Sequence, residues 1–133
     1  MQSKKPIYKK AFEPIDTYEE STWMGNDTPF METEYTGVFR DKYPCTPGHT
    51  LFIPKKNTPE YVGQSYGLAY EYGNKKVKEG KMMGFNVGMN IGLCAGQTIM
   101  WPHIHFIPRN EGDSEHHGGM RYAHPSADHN HYY

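Results

Sequence analysis

The sequence predicts an α+β domain built on an antiparallel sheet. Three observations carry this: β-branched and aromatic runs come in two pairs, a helix-start signature stands between the pairs, and Gly- and Pro-rich loops close the runs. With 133 residues the chain suits one domain, and a second independent core is not expected.

Each element has its own signal. Residues 1–28 mix Lys, Glu, Pro, Ser and Thr with isolated aromatics and hold no period of 2 or 3.6, which reads as an irregular arm. Over 34–40, Tyr35, Val38 and Phe39 stand among polar residues, and 50–53 is a β-branched and aromatic run closed by Pro54. The turn-rich Tyr43-Pro44-Cys45-Thr46-Pro47-Gly48 joins these two strands. Thr58-Pro59-Glu60 then supplies an N-cap, a proline at the first helical position and an acid in the first turn. Val62, Tyr66, Ala69 and Gly73 continue at helical spacing. Gly63 and Gly67 each cost a helix roughly 1 kcal/mol relative to Ala, so either they permit close packing or the helix is weaker than its start. Residues 84–90 and 98–107 read as two more strands, linked by Gly92-Leu93-Cys94-Ala95-Gly96. Beyond Pro108 the chain turns polar and His-rich, a tail or loop.

Composition narrows the function. The formal net charge of -1 lacks the basic surplus of a duplex-nucleic-acid binder, so any phosphate binding is local. Cys45 and Cys94 have no CxxC or zinc-type spacing; a disulfide framework is not expected and a reducing cytoplasm is. The basic residues 1–10 precede no apolar run, and residues 82–96 are short and broken by Gly and Asn, so neither secretion nor membrane spanning is expected. Hydrophobic residues make up only 36%, which leaves a small core that a dimer interface would support.

The chemistry gathers in the last strand. Period 2 places Ile99, Trp101, His103 and His105 on one face, so two imidazoles stand side by side. Alone, His-x-His fits a pair of surface histidines or two zinc ligands as well as a reactive site. Gly96-Gln97-Thr98 just upstream offers close backbone approach, amide donors and a hydroxyl suited to phosphate oxygens. Asn90 adds an amide, and N–H groups of the Gly-rich turn can form an anion nest. For zinc, a third ligand is offered only by the distant His49 and Cys94. The histidines of the tail, His116, His117, His124, His129 and His131, scatter among Ser, Asp and Asn as a solvated segment does, and no metal is assigned anywhere.

The stretch Gly96-Gln97-Thr98-Ile99-Met100-Trp101-Pro102-His103-Ile104-His105-Phe106-Ile107-Pro108-Arg109 resembles the signature of the histidine-triad (HIT) family, Gly-Gln-Ser/Thr-Val followed by His-x-His-x-His and a closing Pro-Arg. Residues 39–44 with 47–55, and 86–92, resemble two further blocks of that family, and the likeness runs over about 29–113. It is greatest to bacterial and phage members of the dinucleoside polyphosphate hydrolase type, some of which share a tail like Gly112-Asp113 and Gly118-Gly119-Met120-Arg121. The resemblance implies a sheet of about five strands with one main helix, residues 1–28 as the arm, 29–113 as the HIT domain and 114–133 as the tail. It also implies a homodimer and a nucleotide or dinucleoside polyphosphate as substrate, with no required cofactor beyond Mg²⁺ that a polyphosphate brings. His103 corresponds to the nucleophile, which attacks the α-phosphorus and is released when water hydrolyses the nucleotidyl-histidine. His105 would donate to phosphate oxygens, with its strand carbonyl orienting the His103 ring. Asp41 falls at the ribose-binding position. Asn90, Gly96, Gln97 and Thr98 fall at phosphate-contacting ones, and Phe39, with Leu51 or Ile53, could wall the base. Arg121 could reach a phosphate from the tail.

Trp101 stands where the first triad histidine belongs, and Pro102 where a small apolar residue is usual. Trp101 is expected to border the site beside His49, which is retained; an indole can donate one hydrogen bond or stack but cannot shuttle a proton. Pro102-His103 is similar to the His-Pro-His core of the nucleotidyltransferase branch, so a transferase outcome, or a catalytically weak nucleotide-binding module, stands beside hydrolysis.

Overall fold

A computed structural model of the chain describes residues 12–114 and 118–127. One antiparallel sheet runs in the order β1-β2-β3-β5-β4, made of β1 Met31–Glu32, β2 Thr36–Arg40, β3 Thr50–Pro54, β4 Gly84–Gly88 and β5 Ile104–Arg109. Two helices accompany it, the short α1 Thr22–Asn26 and the long α2 Pro59–Lys78. The α+β class with about five strands and one main helix is therefore as expected.

Side-chain alternation divides the sheet into two faces. Val38, Phe52, Ile104 and Phe106 point to one face, where α2 covers them with Ala69, Tyr66 and Tyr72. The α2 start follows its sequence signal: Thr58 Oγ1 accepts from Tyr61 N–H at 3.3 Å, with Pro59 in the first turn. At Gly73 the helix meets the sheet closely, since a Cβ there would lie 2.4 Å from the Phe85 ring. Among the described residues, nothing lies within 4 Å of where a Cβ would sit at Gly63 or Gly67, so these two glycines serve no packing there. One buried polar contact also fastens this face: Thr36 Oγ1 donates to Ser65 Oγ at 2.6 Å, while Ser65 Oγ donates to the Tyr61 carbonyl.

Phe39, Leu51 and Ile53 point to the opposite face and form a second cluster with Trp101 and Tyr18, against which Ile15, Trp23 and Met24 pack. The expected irregular arm thus contributes a 3-10 turn at Tyr18–Glu20 and then α1. Thr17 caps the first and Ser21 the second. The predicted strand over 98–107 is also corrected: pairing begins only at Ile104, because Pro102 has no N–H to give to the ladder.

Candidate active site

The register brings distant residues together on the Trp101 face. Leu51 and Gly88 both pair with His105, which seats that imidazole mid-sheet between β3 and β4. The His103 ring lies 5.3 Å from the His105 ring, centroid to centroid, so the two imidazoles are neighbours as the alternation predicts. His49, two residues before Leu51, reaches across so that its Nε2 lies 2.9 Å from His105 Nδ1.

Proton positions follow from this network. Cys45 N–H donates to His49 Nδ1 at 3.1 Å, so the neutral ring carries its proton on Nε2 and donates it to His105 Nδ1. His105 then holds its own proton on Nε2. Asp41 Oδ2 sits 3.3 Å from His49 Nε2 and 3.9 Å from His105 Nδ1, while its Oδ1 accepts from Tyr43 N–H at 2.8 Å. His103 donates from Nδ1 to the Trp101 carbonyl at 2.7 Å, which leaves Nε2 with a free lone pair. This corrects the expectation that the His105 carbonyl orients that ring.

Burial keeps these rings neutral. It pushes His105 down to about 4, with His103 and His49 adding to the shift and Asp41 opposing it. Burial likewise lowers His103, against the pull of its bond to Trp101 and of Asp41, and lowers His49 against Asp41. His103 is only 8% exposed, and the Trp23 ring of α1 lies 4.8 Å from it.

Other residues singled out by sequence stand differently. Trp101 is 3% exposed and donates from Nε1 to the Pro54 carbonyl at 2.9 Å, so its indole is a core group and presents no face for stacking. Phe39 is equally enclosed in that cluster. Gly96 adopts the left-handed φ of +92° that its loop needs, with Asn90 beside it. The Gln97 amide is engaged at both ends, accepting from Gly92 N–H and donating to the Ile99 carbonyl. N–H groups of Ala95, Gly96 and Gln97 bond inside the loop, so the expected nest does not form from them. The Thr98 carbonyl accepts from Phe12 N–H. Among the described residues, no hydrogen bond links Asn90, Gly96, Gln97 or Thr98 to the histidines.

The tail is fastened by Arg109, which bonds Asp113, Asn86 and the Gly118 carbonyl. Met120 lies over Gly88, the β4 partner of His105. Arg121 takes part in an interaction of its own. His124 Nδ1 accepts from Ser126 N–H, and His116, His117, His129 and His131 lie outside the described residues.

Sequence reasoning missed Trp23, Tyr18 and Pro54. The Thr17-x-x-Glu20 pattern, whose Glu20 N–H bonds Thr17 Oγ1, was the available signal that the arm is built.

A small antiparallel sheet with one main helix, carrying a buried imidazole backed by further histidines, defines the class: an α+β domain with a histidine cluster on one sheet face. The HIT domain model matches residues 25–112, and the chain belongs to the HIT family. An uncharacterized HIT-like protein of Methanocaldococcus jannaschii is 38% identical over 90 residues, 63% of this chain and 70% of that protein. The asymmetrical bis(5'-nucleosyl)-tetraphosphatase of Schizosaccharomyces pombe is 29% identical over 91 residues, 63% of this chain and 50% of that one. A Zn-bound histidine triad family protein from Mycobacterium smegmatis superposes with a TM-score of 0.58 at 32% identity, covering 63% of this chain and 66% of its own. The chain thus spans between 50% and 70% of the length of these relatives. Among the described residues, no helix is long and apolar enough to cross a membrane.

Proposed function

We propose that the chain is a nucleotide phosphohydrolase that cleaves at the α-phosphate of a nucleotide or dinucleoside polyphosphate through a nucleotidyl-histidine on His103. The observation that carries this is the proton arrangement at His103: Nδ1–H is committed to the Trp101 carbonyl, and Nε2 keeps its lone pair. In the first step Nε2 bonds to phosphorus as the bond from phosphorus to the leaving oxygen breaks, and that oxygen takes the electron pair. Water then attacks the same phosphorus, the P–N bond breaks with its electron pair returning to Nε2, the nucleotide departs with the water oxygen, and the proton that water loses passes to bulk solvent. His105 Nε2–H donates to a non-bridging oxygen as charge builds, and Asp41 accepts from ribose hydroxyls. Asn90, Gly96, Gln97 and Thr98 border the phosphate chain.

With a buried indole in place of the first imidazole, a polyphosphate, which departs without prior protonation, suits the site better than an amine. Asp41, His49 and His105 offer ligand atoms within 4.8 Å of one another, but in the proton arrangement of this network zinc would have to displace a ring proton. The His49 nitrogen facing it, Nε2, carries the proton because Nδ1 accepts from Cys45 N–H. The reaction is accordingly assigned to the side chains, with Mg²⁺ entering only on a polyphosphate. The same proposal includes a homodimer and a cytoplasmic setting, where the exposed free Cys45 and Cys94 would stay reduced.

One observation favours a second reading, nucleotide binding without turnover: His103 is covered by Trp23. The test is to incubate the protein with diadenosine polyphosphates and adenosine phosphoramidate, with and without exhaustive chelation, and separate the products. Mononucleotide released under chelation supports hydrolysis. Binding with no product supports the second reading, and activity restored only by zinc overturns the metal-free assignment.

A further inference from the structure

We propose that Trp101 is a positioning residue whose indole N–H replaces a lost ladder bond and thereby fixes the carbonyl that holds His103. This rests on the reading of His103 as nucleophile.

The ladder shows which bond is missing. Asp41 N–H bonds the His49 carbonyl and Lys55 N–H bonds the Tyr35 carbonyl, at the two ends of the β2–β3 pairing. In an antiparallel ladder the direction of the polar groups alternates residue by residue, so His49, Leu51, Ile53 and Lys55 face β2. Thr50, Phe52 and Pro54 therefore face β5. The first two meet Phe106 and Ile104, and the register continued by two residues sets Pro54 opposite position 102. That position is a proline with no N–H, so the ladder offers the buried Pro54 carbonyl no donor.

Trp101 supplies the donor from its side chain. Its Nε1–H reaches the Pro54 carbonyl at 2.9 Å, and its ring is packed among Tyr18, Phe39, Leu51 and Ile53. The carbonyl of the same residue accepts from His103 Nδ1 at 2.7 Å. Residues 101–103 precede β5, so this clamp does there what strand pairing does from Ile104 onward. Trp101 and Pro102 thus form a coupled pair: the proline removes a backbone donor and the indole restores one. What the clamp protects is a tautomer, because a neutral imidazole free of the carbonyl populates both N–H forms, and only the Nδ1–H form leaves Nε2 able to attack.

The test compares the natural protein with Trp101→Phe, with Pro102→Ala, and with the double variant, whose new backbone N–H at 102 can restore the ladder bond. A protein carrying benzothienylalanine at 101 keeps the bicyclic bulk without the donor, and serves where Trp101→Phe fails to fold. Nitrogen NMR reads the His103 tautomer independently of turnover, and kcat and KM are measured on a dinucleoside polyphosphate. Removing the donor should mix the His103 tautomers and lower kcat by about tenfold with KM within about twofold, and adding Pro102→Ala should reverse both. An unchanged tautomer after donor removal, or a loss that Pro102→Ala fails to reverse, would overturn the proposal and leave Trp101 as packing. If the natural protein turns over no nucleotide, the hydrolase reading fails while the tautomer comparison still decides the clamp.

Discussion

The two faces of the sheet are built from alternate residues of the same strands, yet they are held by different forces. On the α2 face, Val38, Phe52, Ile104 and Phe106 form an apolar layer in which the Phe106 ring stacks on Phe85 and meets Phe52 and Tyr72. On the other face the apolar cluster adjoins a chain of polar contacts running from Cys45 N–H through His49 to His105, with His103 fixed by Trp101. The first arrangement tolerates little change of volume, and the second little change of proton position. Stability should therefore reside mainly on one face and chemistry on the other.

The largest test of that division pairs one substitution from each face. His103→Ala should abolish turnover while leaving nucleotide affinity within about tenfold, since a nucleophile contributes only part of the ground-state contacts. Phe106→Ala should remove about 3–5 kcal/mol of stability, the usual range for emptying a buried aromatic site. Product assays and denaturant titrations of both variants check this; a His103→Ala protein that turns over normally would end the assignment of the nucleophile.

A smaller effect is expected where α2 meets the sheet. A Cβ at Gly73 would collide with Phe85, which is itself stacked on Phe106, so Gly73→Ala should cost about 1–3 kcal/mol although alanine favours helix. Thermal unfolding would read the sign, and stabilisation would mean that the Phe85 ring can move aside.

The histidine face should announce itself in acid. His105 is held down to about 4, against 6.5 for an unperturbed ring, and His49 and His103 are lowered as well. Between those pH values the unfolded chain binds more protons than the folded one, so stability falls as pH is lowered. The contribution is complete above 6.5 and is lost as pH drops through about 4. In denaturant titrations across this window, His105→Asn should show a shallower slope than the natural protein. An equal slope would place the acid sensitivity outside this network.

Much of this architecture was legible in the sequence. Local rules were enough for the α2 start, where Thr58, Pro59 and Glu60 cap a helix, and for β3, where a β-branched run ends in proline. Motif spacing was enough for His103 beside His105. What escaped depends on contacts between distant segments. His49 and His105 are 56 residues apart, and only the register brings them together. The five-residue α1 is too short to declare itself by propensity and stands because Trp23 and Met24 pack on the Trp101 cluster. Reading 98–107 as one strand failed at Pro102, where the alternating pattern persists but the N–H required for pairing is missing.

The smallest expected effect carries the comparison of faces from the sheet to α2 itself. Its inward Gly73 is required by a ring, whereas Gly63 and Gly67 are exposed and, among the described residues, meet nothing within 4 Å where a Cβ would be. Alanine at either position should therefore stabilise an isolated chain by about 0.5–1 kcal/mol through helix propensity and a less flexible unfolded state. In the proposed homodimer, however, such bare helix surface could be where a second copy approaches, and an added methyl would then weaken association. Sedimentation and thermal unfolding of Gly63→Ala and Gly67→Ala at several concentrations separate the cases. A gain in stability independent of concentration means that the outer face of α2 is solvated, whereas a loss accompanied by dissociation means that it is an interface and that the glycines serve contact between chains.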